Sequence, residues 1–177
     1  MLHWKSWLCH GVLLSGAGKK RIQVSFDQEW GQKLQHQQTR NAGLSHVECE
    51  LSRRGWSVER TKRHANASDL YASNADKTLV LHIQSRALTK RRDAGLGSSL
   101  DTLRPQWWII TVNANSNSPD SYILTLEEVK AAAVRNTNER GVVSYWLPYK
   151  KFAVPKFQEA WARLDSPSDT ANFARLD

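Results

Sequence analysis

The chain has 177 residues, of which 40% are hydrophobic and 24% charged, and its formal net charge is +8 at pH 7. This length predicts one domain with a hydrophobic core and is too short for two. The two cysteines do not have the pattern of a disulfide framework or a zinc site and indicate a reducing compartment, so we expect a cytoplasmic protein. The sequence has no run near the roughly 18 apolar residues of a membrane helix. Its positive charge favours a polyanionic partner, although a basic surface can also serve solubility alone.

The first forty residues carry the weakest pattern. The stretch WKSWLCHGVLLSGA partly matches the hydrophobic part of a signal peptide, but His10 and Gly11 interrupt it and we expect no export. RIQVSF predicts a short strand, and DQEWGQKLQHQQTR a polar linker or a frayed helix. We therefore divide the chain into an N-terminal extension outside the core at residues 1–40, an α/β domain at 41–165 and a C-terminal tail at 166–177.

A clear pattern begins at residue 41. Leu44, Val47 and Leu51 form an amphipathic helical stripe, and Gly55 is placed to end that helix. The later elements follow in chain order: strands WSVERT, SDLYAS and TLVLHIQS, with a turn at NADK; loop and short helix in ALTKRRDAGLGSSLDTL; strand QWWIITVN; strand SYILTL, ending at Thr125 as the N-cap of helix LEEVKAAAVR; strand SYWLPY; and a closing helix VPKFQEAWARL that begins near Pro155. This order predicts a mixed α/β fold.

Two polar side chains interrupt the apolar strand that contains LVLHIQSR. Gln84 and Arg86 share one face, because strand side chains alternate with a period of two. The turn before this strand folds it onto the preceding one, which brings Asp69 to the level of Gln84. One carboxylate, one amide oxygen and one cation then converge, and such oxygens are ligands that Mg²⁺ uses. Each residue alone also has an ordinary structural explanation. Asp69 can cap a turn, and Gln84 can be a hydrogen-bonded polar residue at the end of a strand.

Five stretches resemble a group of small bacterial proteins in the PD-(D/E)XK nuclease superfamily, which has the restriction-endonuclease-like fold. They are IQSRALTKR, LGSSLDTL, QWWIITVN, YILTLEEV and FQEAW. The first is similar to IQVKAL-KR, the variant in which glutamine replaces the glutamate of the motif. The resemblance covers residues 41 to 164. It implies a central mixed β-sheet flanked by helices, and hydrolysis of DNA phosphodiester bonds that depends on Mg²⁺ or Mn²⁺.

The resemblance also assigns roles by position. It implies that Asp69 is the central metal ligand, Gln84 the second and the Ser85 main-chain carbonyl a third. The family's lysine at position 86 is arginine here; lysine can help to deprotonate water, whereas Arg86 stays protonated and can bind or neutralise a phosphate. The superfamily often adds an acid from the first helix. Of the two candidates there, Glu48 lies nearer the apolar stripe than its neighbour Glu50, so we predict Glu48 as a catalytic residue.

Two basic clusters are candidates for contacts to DNA phosphates, with a solvated basic face as the alternative. They comprise Arg53, Arg54, Lys62 and Arg63, and then Lys90, Arg91 and Arg92. We expect Trp107 and Trp108 to pack on opposite sides of their strand rather than to stack on bases, and His82 to be buried and neutral.

Two functions remain open at this stage. The first is a metal-dependent nuclease that acts on DNA and can work as a homodimer, with no membrane contact. The second is a catalytically degenerate module on the same fold, which binds nucleic acid or joins a complex; the arginine at position 86 favours it.

Overall fold

The structure is a computed structural model that describes residues 18–61 and 68–165, with residues 18–30 described by their backbone alone. Its elements are, in chain order, α1 (Gly18–Arg53), β1 (Ser57–Arg60), β2 (Leu70–Ser73), β3 (Val80–Leu88), β4 (Ala94–Gly97), β5 (Trp107–Val112), β6 (Asp120–Thr125), α2 (Leu126–Ala132), β7 (Val134–Thr137), β8 (Val143–Leu147), α3 (Tyr149–Phe152) and a short 3₁₀ helix (Trp161–Asp165). The chain separates into two units, residues 1–36 and 37–177.

Helix α1 is much longer than the sequence predicts. The strand predicted at RIQVSF is wrong, because these residues lie inside α1. The segment from Gly18 to Arg40 is rich in lysine, arginine and glutamine, which favour helix, and it contains no proline to interrupt it. The alternation over a few residues that predicts a strand is too short to outweigh that preference.

The end of α1 agrees with the prediction. Gly55 has a φ of 86°, which glycine adopts without steric cost. The Gly55 amide donates to the Ser52 carbonyl at 3.1 Å, and the Trp56 amide donates to the Leu51 carbonyl at 3.2 Å. This is the Schellman pattern that closes the last turn of a helix, and it turns the chain directly into β1.

Five strands form the central sheet in the order β1-β2-β3-β5-β6. β3 and β5 are parallel, whereas the other neighbouring pairs are antiparallel. The sheet is therefore mixed, and the general prediction of an α/β fold with a mixed central sheet is confirmed.

The connection from β3 to β5 corrects another prediction. In place of the short helix expected in ALTKRRDAGLGSSLDTL, β3 runs to Leu88 and Ala94–Gly97 forms β4. Ala94 and Leu96 are buried and alternate with two exposed glycines, which is the period of a strand and not of a helix. β4 pairs with β8, which also pairs with β7, so the crossover contributes to a second sheet of order β4-β8-β7.

Helix α2 begins at the predicted cap. The Thr125 hydroxyl accepts from the Glu128 amide, and the Glu128 carboxylate accepts from the Thr125 amide, which completes a capping box. Glu128 also accepts from Arg163 at 2.8 Å and from Lys156 at 2.7 Å. Burial alone raises the pKa of Glu128, but the hydrogen bonds from Lys156, the Thr125 main chain and Arg163 together lower that pKa. The helix ends at Ala132, earlier than predicted, because β7 begins at Val134.

The closing helix predicted from Pro155 is also wrong. Residues 153–160 form turns, and only Trp161–Asp165 is helical, as a 3₁₀ helix. The Ile123 amide donates to the Phe157 carbonyl at 2.9 Å, and the Glu159 amide donates to the Ser121 carbonyl at 2.8 Å. Main-chain groups of this segment therefore hydrogen bond with the edge of β6. A helix would need the same groups for its own internal hydrogen bonds.

The central sheet is buried on both faces at β5. Trp107 packs on one face with Val47 and Leu51 of α1, and Trp108 packs on the other with Leu147 of the second sheet and Phe152 of α3. The predicted opposite placement of the two tryptophans is confirmed. Within the described ranges, no helix combines the length and the apolar character needed to cross a membrane.

Candidate functional site

The site lies where β2 begins, beside the middle of β3. Leu70 lies opposite Ile83, and the amide of Asp69, the residue before Leu70, donates to the Ile83 carbonyl at 2.9 Å. The Gln84 side-chain amide donates to Asp69 Oδ2, and the Ser85 main-chain amide donates to the same oxygen at 3.0 Å. The hairpin thus brings the two predicted side chains into direct contact.

Arg40 of α1 completes the surroundings of this carboxylate. Its guanidinium donates to Asp69 Oδ1 at 2.7 Å, so both carboxylate oxygens have hydrogen-bond donors. The Arg40 side chain is 51% exposed and that of Asp69 only 10%. The sequence prediction missed Arg40 because it placed residues 1–40 outside the core. The signal was present, since extending the Leu44, Val47 and Leu51 stripe back by one helical turn places residue 40 on the same face.

Arg86 is the second cation at the site. It lies on the Gln84 face of β3, and its guanidinium carbon is 5.5 Å from the centre of the Trp108 ring. Its Nε is buried and has no hydrogen-bond partner within the described part of the chain. Burial lowers the pKa of the Arg86 guanidinium, Asp69 opposes that shift, and the positive charge of Arg40 adds to it. Arginine remains protonated through such shifts, so Arg86 presents a buried positive charge with an unused donor.

The predicted helix acid is engaged elsewhere. Glu48 accepts from Arg60 Nε at 2.6 Å and also from Arg60 Nη2, while Arg60 donates to Ser45 at 3.0 Å. The hydrogen bond that Arg60 donates to Glu48 raises the pKa of Arg60, and burial opposes that shift. Glu50 is paired with Arg53 and Arg54. Neither carboxylate hydrogen bonds with Asp69, Gln84 or Arg86, and residues 31–61 and 68–165 contain no group of three acidic, histidine or cysteine side chains that could hold a metal ion.

The structure separates the predicted DNA-contact residues into three cases. Arg53 and Arg54 pair with Glu50, and Arg54 also lies 4.8 Å above the Trp161 ring. Lys62 and Arg63 fall outside the described residues. A third set is exposed in the segment that follows β3 and forms no ion pair with the described residues: Lys90, Arg91 and Arg92. His82, expected to be buried, is exposed and makes an edge contact with Tyr71 at 4.8 Å.

The oxygen atoms near Asp69 are of the kind that bind one hydrated divalent cation. The Ser85 amide points at Asp69, and in a strand the N–H and C=O of one residue face the same neighbouring strand, so the Ser85 carbonyl faces the same side. The Asp69 carboxylate, the Ser85 carbonyl and, once the Gln84 amide turns its oxygen in place of Nε2 towards Asp69, the Gln84 oxygen would suit Mg²⁺ or Mn²⁺, which complete their shells with water and substrate phosphate. Arg40 must leave Oδ1 to free that oxygen. With Arg40 and Arg86 both present, the cluster as it stands has two guanidinium groups for one carboxylate and also suits a phosphate.

A scan against protein-family models gives no match for this chain, and a search of curated proteins gives none either.

Proposed function

We propose that the protein is a metal-dependent nuclease of the PD-(D/E)XK type, on a restriction-endonuclease-like fold, that hydrolyses DNA phosphodiester bonds. One observation carries the proposal. Asp69, just before β2, meets Gln84 and the Ser85 main chain in the middle of β3, and Arg86, two residues after Gln84, has a buried donor without a partner in the described part of the chain. An unpaired buried donor is costly, and a phosphate oxygen would satisfy it.

Each residue then has a distinct role. Asp69, Gln84 and the Ser85 carbonyl would hold Mg²⁺ or Mn²⁺, which when bound lowers the pKa of water and neutralises charge on a phosphate. Arg86 orients a non-bridging phosphate oxygen and offsets the charge that develops on it. It cannot accept the proton of the attacking water, so that proton passes to solvent or to the substrate phosphate. Glu48 holds Arg60, and the proposal does not depend on it.

Cleavage assays test this directly. Plasmid, linear and single-stranded DNA are incubated with the full chain in Mg²⁺ or Mn²⁺, alongside Asp69→Ala and Gln84→Leu. Asp101→Asn is the matched control, because Asp101 is an exposed carboxylate after β4 that makes no ion pair with a described residue. We expect cleavage by the wild type and the control, and its loss in the other two. Cleavage that persists in Asp69→Ala would show that the reaction does not use this site.

A second function is favoured by the Arg40–Asp69 ion pair. Two arginines around one carboxylate give the cluster a net positive charge, which suits a bound phosphate without hydrolysis. In that case the wild type is inert but retards DNA in a gel shift, and Arg86→Lys restores cleavage by returning the family's lysine. Inertness of both proteins combined with no DNA binding would contradict both functions.

The remaining proposals concern the oligomeric state of the protein and its location in the cell. A homodimer would supply two sites for two DNA strands. A cytoplasmic location would fit the two cysteines, which indicate a reducing compartment, and would give access to DNA. Light scattering of the protein with and without a DNA duplex measures the number of copies. A 1:1 complex at saturating DNA would exclude the dimer.

A further inference from the structure

The second sheet has one buried face and one open face. On β8, Tyr145 and Leu147 pack towards the core, while Trp146 between them points outward. Trp146 lies opposite Val134 of β7 and Gly95 of β4. Trp146 is 41% exposed and Val134 44% exposed, so two large apolar side chains meet solvent side by side. Adjoining exposed apolar side chains are a candidate contact surface when other features of a binding site accompany them.

The Trp146 ring is held in one orientation. A Cβ at Gly95 would lie 3.6 Å from Cζ3 of the ring, which shows that one ring face rests on the glycine backbone. The indole Nε1 donates to Ser144 Oγ at 3.0 Å, which fixes the edge of the ring. The exposed part of the ring is therefore the face turned away from Gly95. A ring fixed in this way loses little conformational entropy when a second flat group stacks on it.

Cations border this ring. A cleft of about 730 Å³ is lined by Trp146, Val134, Arg92 and Arg135, among others. Neither arginine side chain forms an ion pair or a hydrogen bond within the described part of the chain. Arg135 pairs with Tyr145, so its side chain leaves β7 from the face opposite Trp146 and borders the cleft at the edge of the sheet. The one carboxylate in the lining is that of Asp93, which accepts from the Tyr149 amide at 2.8 Å. The cleft thus combines an aromatic plane with a net positive lining, on a protein whose net charge is +8.

A nucleotide has the matching chemistry, because its base is a flat π system and its phosphates are anions at a fixed distance from that base. Inside a duplex both faces of each base are covered by stacked neighbours, so away from duplex ends only an unpaired base can reach the ring. We propose that this cleft binds single-stranded nucleic acid, with Trp146 stacking on one unpaired base and Arg92 and Arg135 contacting the flanking phosphates. This second site does not depend on hydrolysis at Asp69.

Fluorescence anisotropy of a labelled oligothymidylate of about twelve nucleotides tests the proposal, with the full chain in EDTA so that no cleavage occurs. Trp146→Ala should weaken binding about tenfold, because stacking contributes about 1–3 kcal/mol per base and 1.4 kcal/mol is tenfold. Trp146→Phe should restore most of the affinity, since it keeps an aromatic plane. Arg135→Ala should reduce the slope of affinity against salt by about one phosphate. Arg140→Ala, an exposed arginine at the turn between β7 and β8, is the charge-matched control and should change affinity by less than about twofold.

An abasic oligonucleotide of the same length separates stacking from charge. The wild type should bind it about tenfold more weakly than oligothymidylate, whereas Trp146→Ala should bind both equally. Equal binding of both by the wild type, or equal competition by a polyglutamate peptide of the same charge, would overturn the proposal in favour of a general site for acidic chains. Should Trp146→Ala fail to fold by circular dichroism, the abasic comparison on the wild type and the Arg135→Ala salt slope still decide the question.

Asp69→Ala, measured in parallel, keeps the two proposals distinguishable. It should lose cleavage, and adding Trp146→Ala to it should still weaken oligonucleotide binding about tenfold. Wild-type cleavage without an effect of Trp146→Ala contradicts the second site alone. An effect of Trp146→Ala in a protein that never cleaves contradicts the nuclease alone.

Discussion

Replacing Arg40 by alanine removes the ion pair that occupies one oxygen of Asp69. Asp69 keeps its hydrogen bonds from Gln84 and the Ser85 amide, so its charge stays partly satisfied. The Arg40 side chain is 51% exposed, and solvent therefore screens the pair from one side. We take about 1 kcal/mol for the pair, the upper end of the range for exposed ion pairs, rather than the roughly 3–5 kcal/mol lost when a buried pair is broken.

This free energy opposes any cation that binds at Asp69, because such a cation must displace Arg40. Arg40→Ala should therefore tighten the binding of Mn²⁺ about fivefold, since 1.4 kcal/mol corresponds to a factor of ten. The same substitution should lower the free energy of unfolding by no more than about 1 kcal/mol. An ion pair that competes with the metal predicts both tighter metal binding and slightly lower stability in Arg40→Ala. An ion pair that only stabilises the fold predicts the lower stability alone.

Titration of Mn²⁺ followed by electron paramagnetic resonance measures the affinity of the wild type, Arg40→Ala and Asp69→Ala. Arg140→Ala removes the same charge from the second sheet and controls for the overall electrostatic field. An affinity for Mn²⁺ that Arg40→Ala leaves unchanged, or that survives in Asp69→Ala, would refute the reasoning.

Two further predictions concern stability. Gly43→Ala should lower the free energy of unfolding by about 1–3 kcal/mol, measured in urea, because the new Cβ would lie 2.4 Å from Ala87 Cβ. This overpacking outweighs the roughly 1 kcal/mol by which alanine stabilises a helix relative to glycine. The control is Gly31→Ala, which has open space around it in the same helix and should show no loss. Glu128→Gln should cost about 1–2 kcal/mol at pH 7. Because the pKa of Glu128 is lowered in the folded state, its contribution is present above its ordinary pKa of 4.5 and is lost as the pH falls through the folded value, so the two stability curves should converge in acid. A gap that persists undiminished at low pH would contradict this assignment.

The features that the sequence predicts correctly depend on neighbours in the chain. Thr125 and Glu128 cap α2 through atoms three residues apart, and Gly55 ends α1 through bonds within its last turn. Trp107 and Trp108 occupy opposite faces because adjacent strand residues always do. The hairpin that joins Asp69 to Gln84 is local in the same sense, since only a short turn separates β2 from β3.

The features that the sequence misses depend on distant partners. Nothing near Phe157 indicates that its carbonyl will accept from Ile123, so a proline followed by an amphipathic run predicts a helix that does not form. Arg40 and Asp69 meet across the packing of α1 on the sheet, which no local pattern specifies. The helical angle of Glu48 predicts it as the acid of the site, but that angle carries no information about the competing cation Arg60.

The most direct test of the proposed function is a crystal of the protein soaked in Mn²⁺ and measured at the manganese absorption edge. We predict an anomalous peak within about 2.0–2.6 Å of an Asp69 carboxylate oxygen, close to the Gln84 amide and the Ser85 carbonyl, with Arg40 moved away from Asp69. An intact Arg40–Asp69 ion pair and no peak at this position, in crystals with Mn²⁺ and a DNA fragment bound, would contradict a metal-dependent reaction at this site.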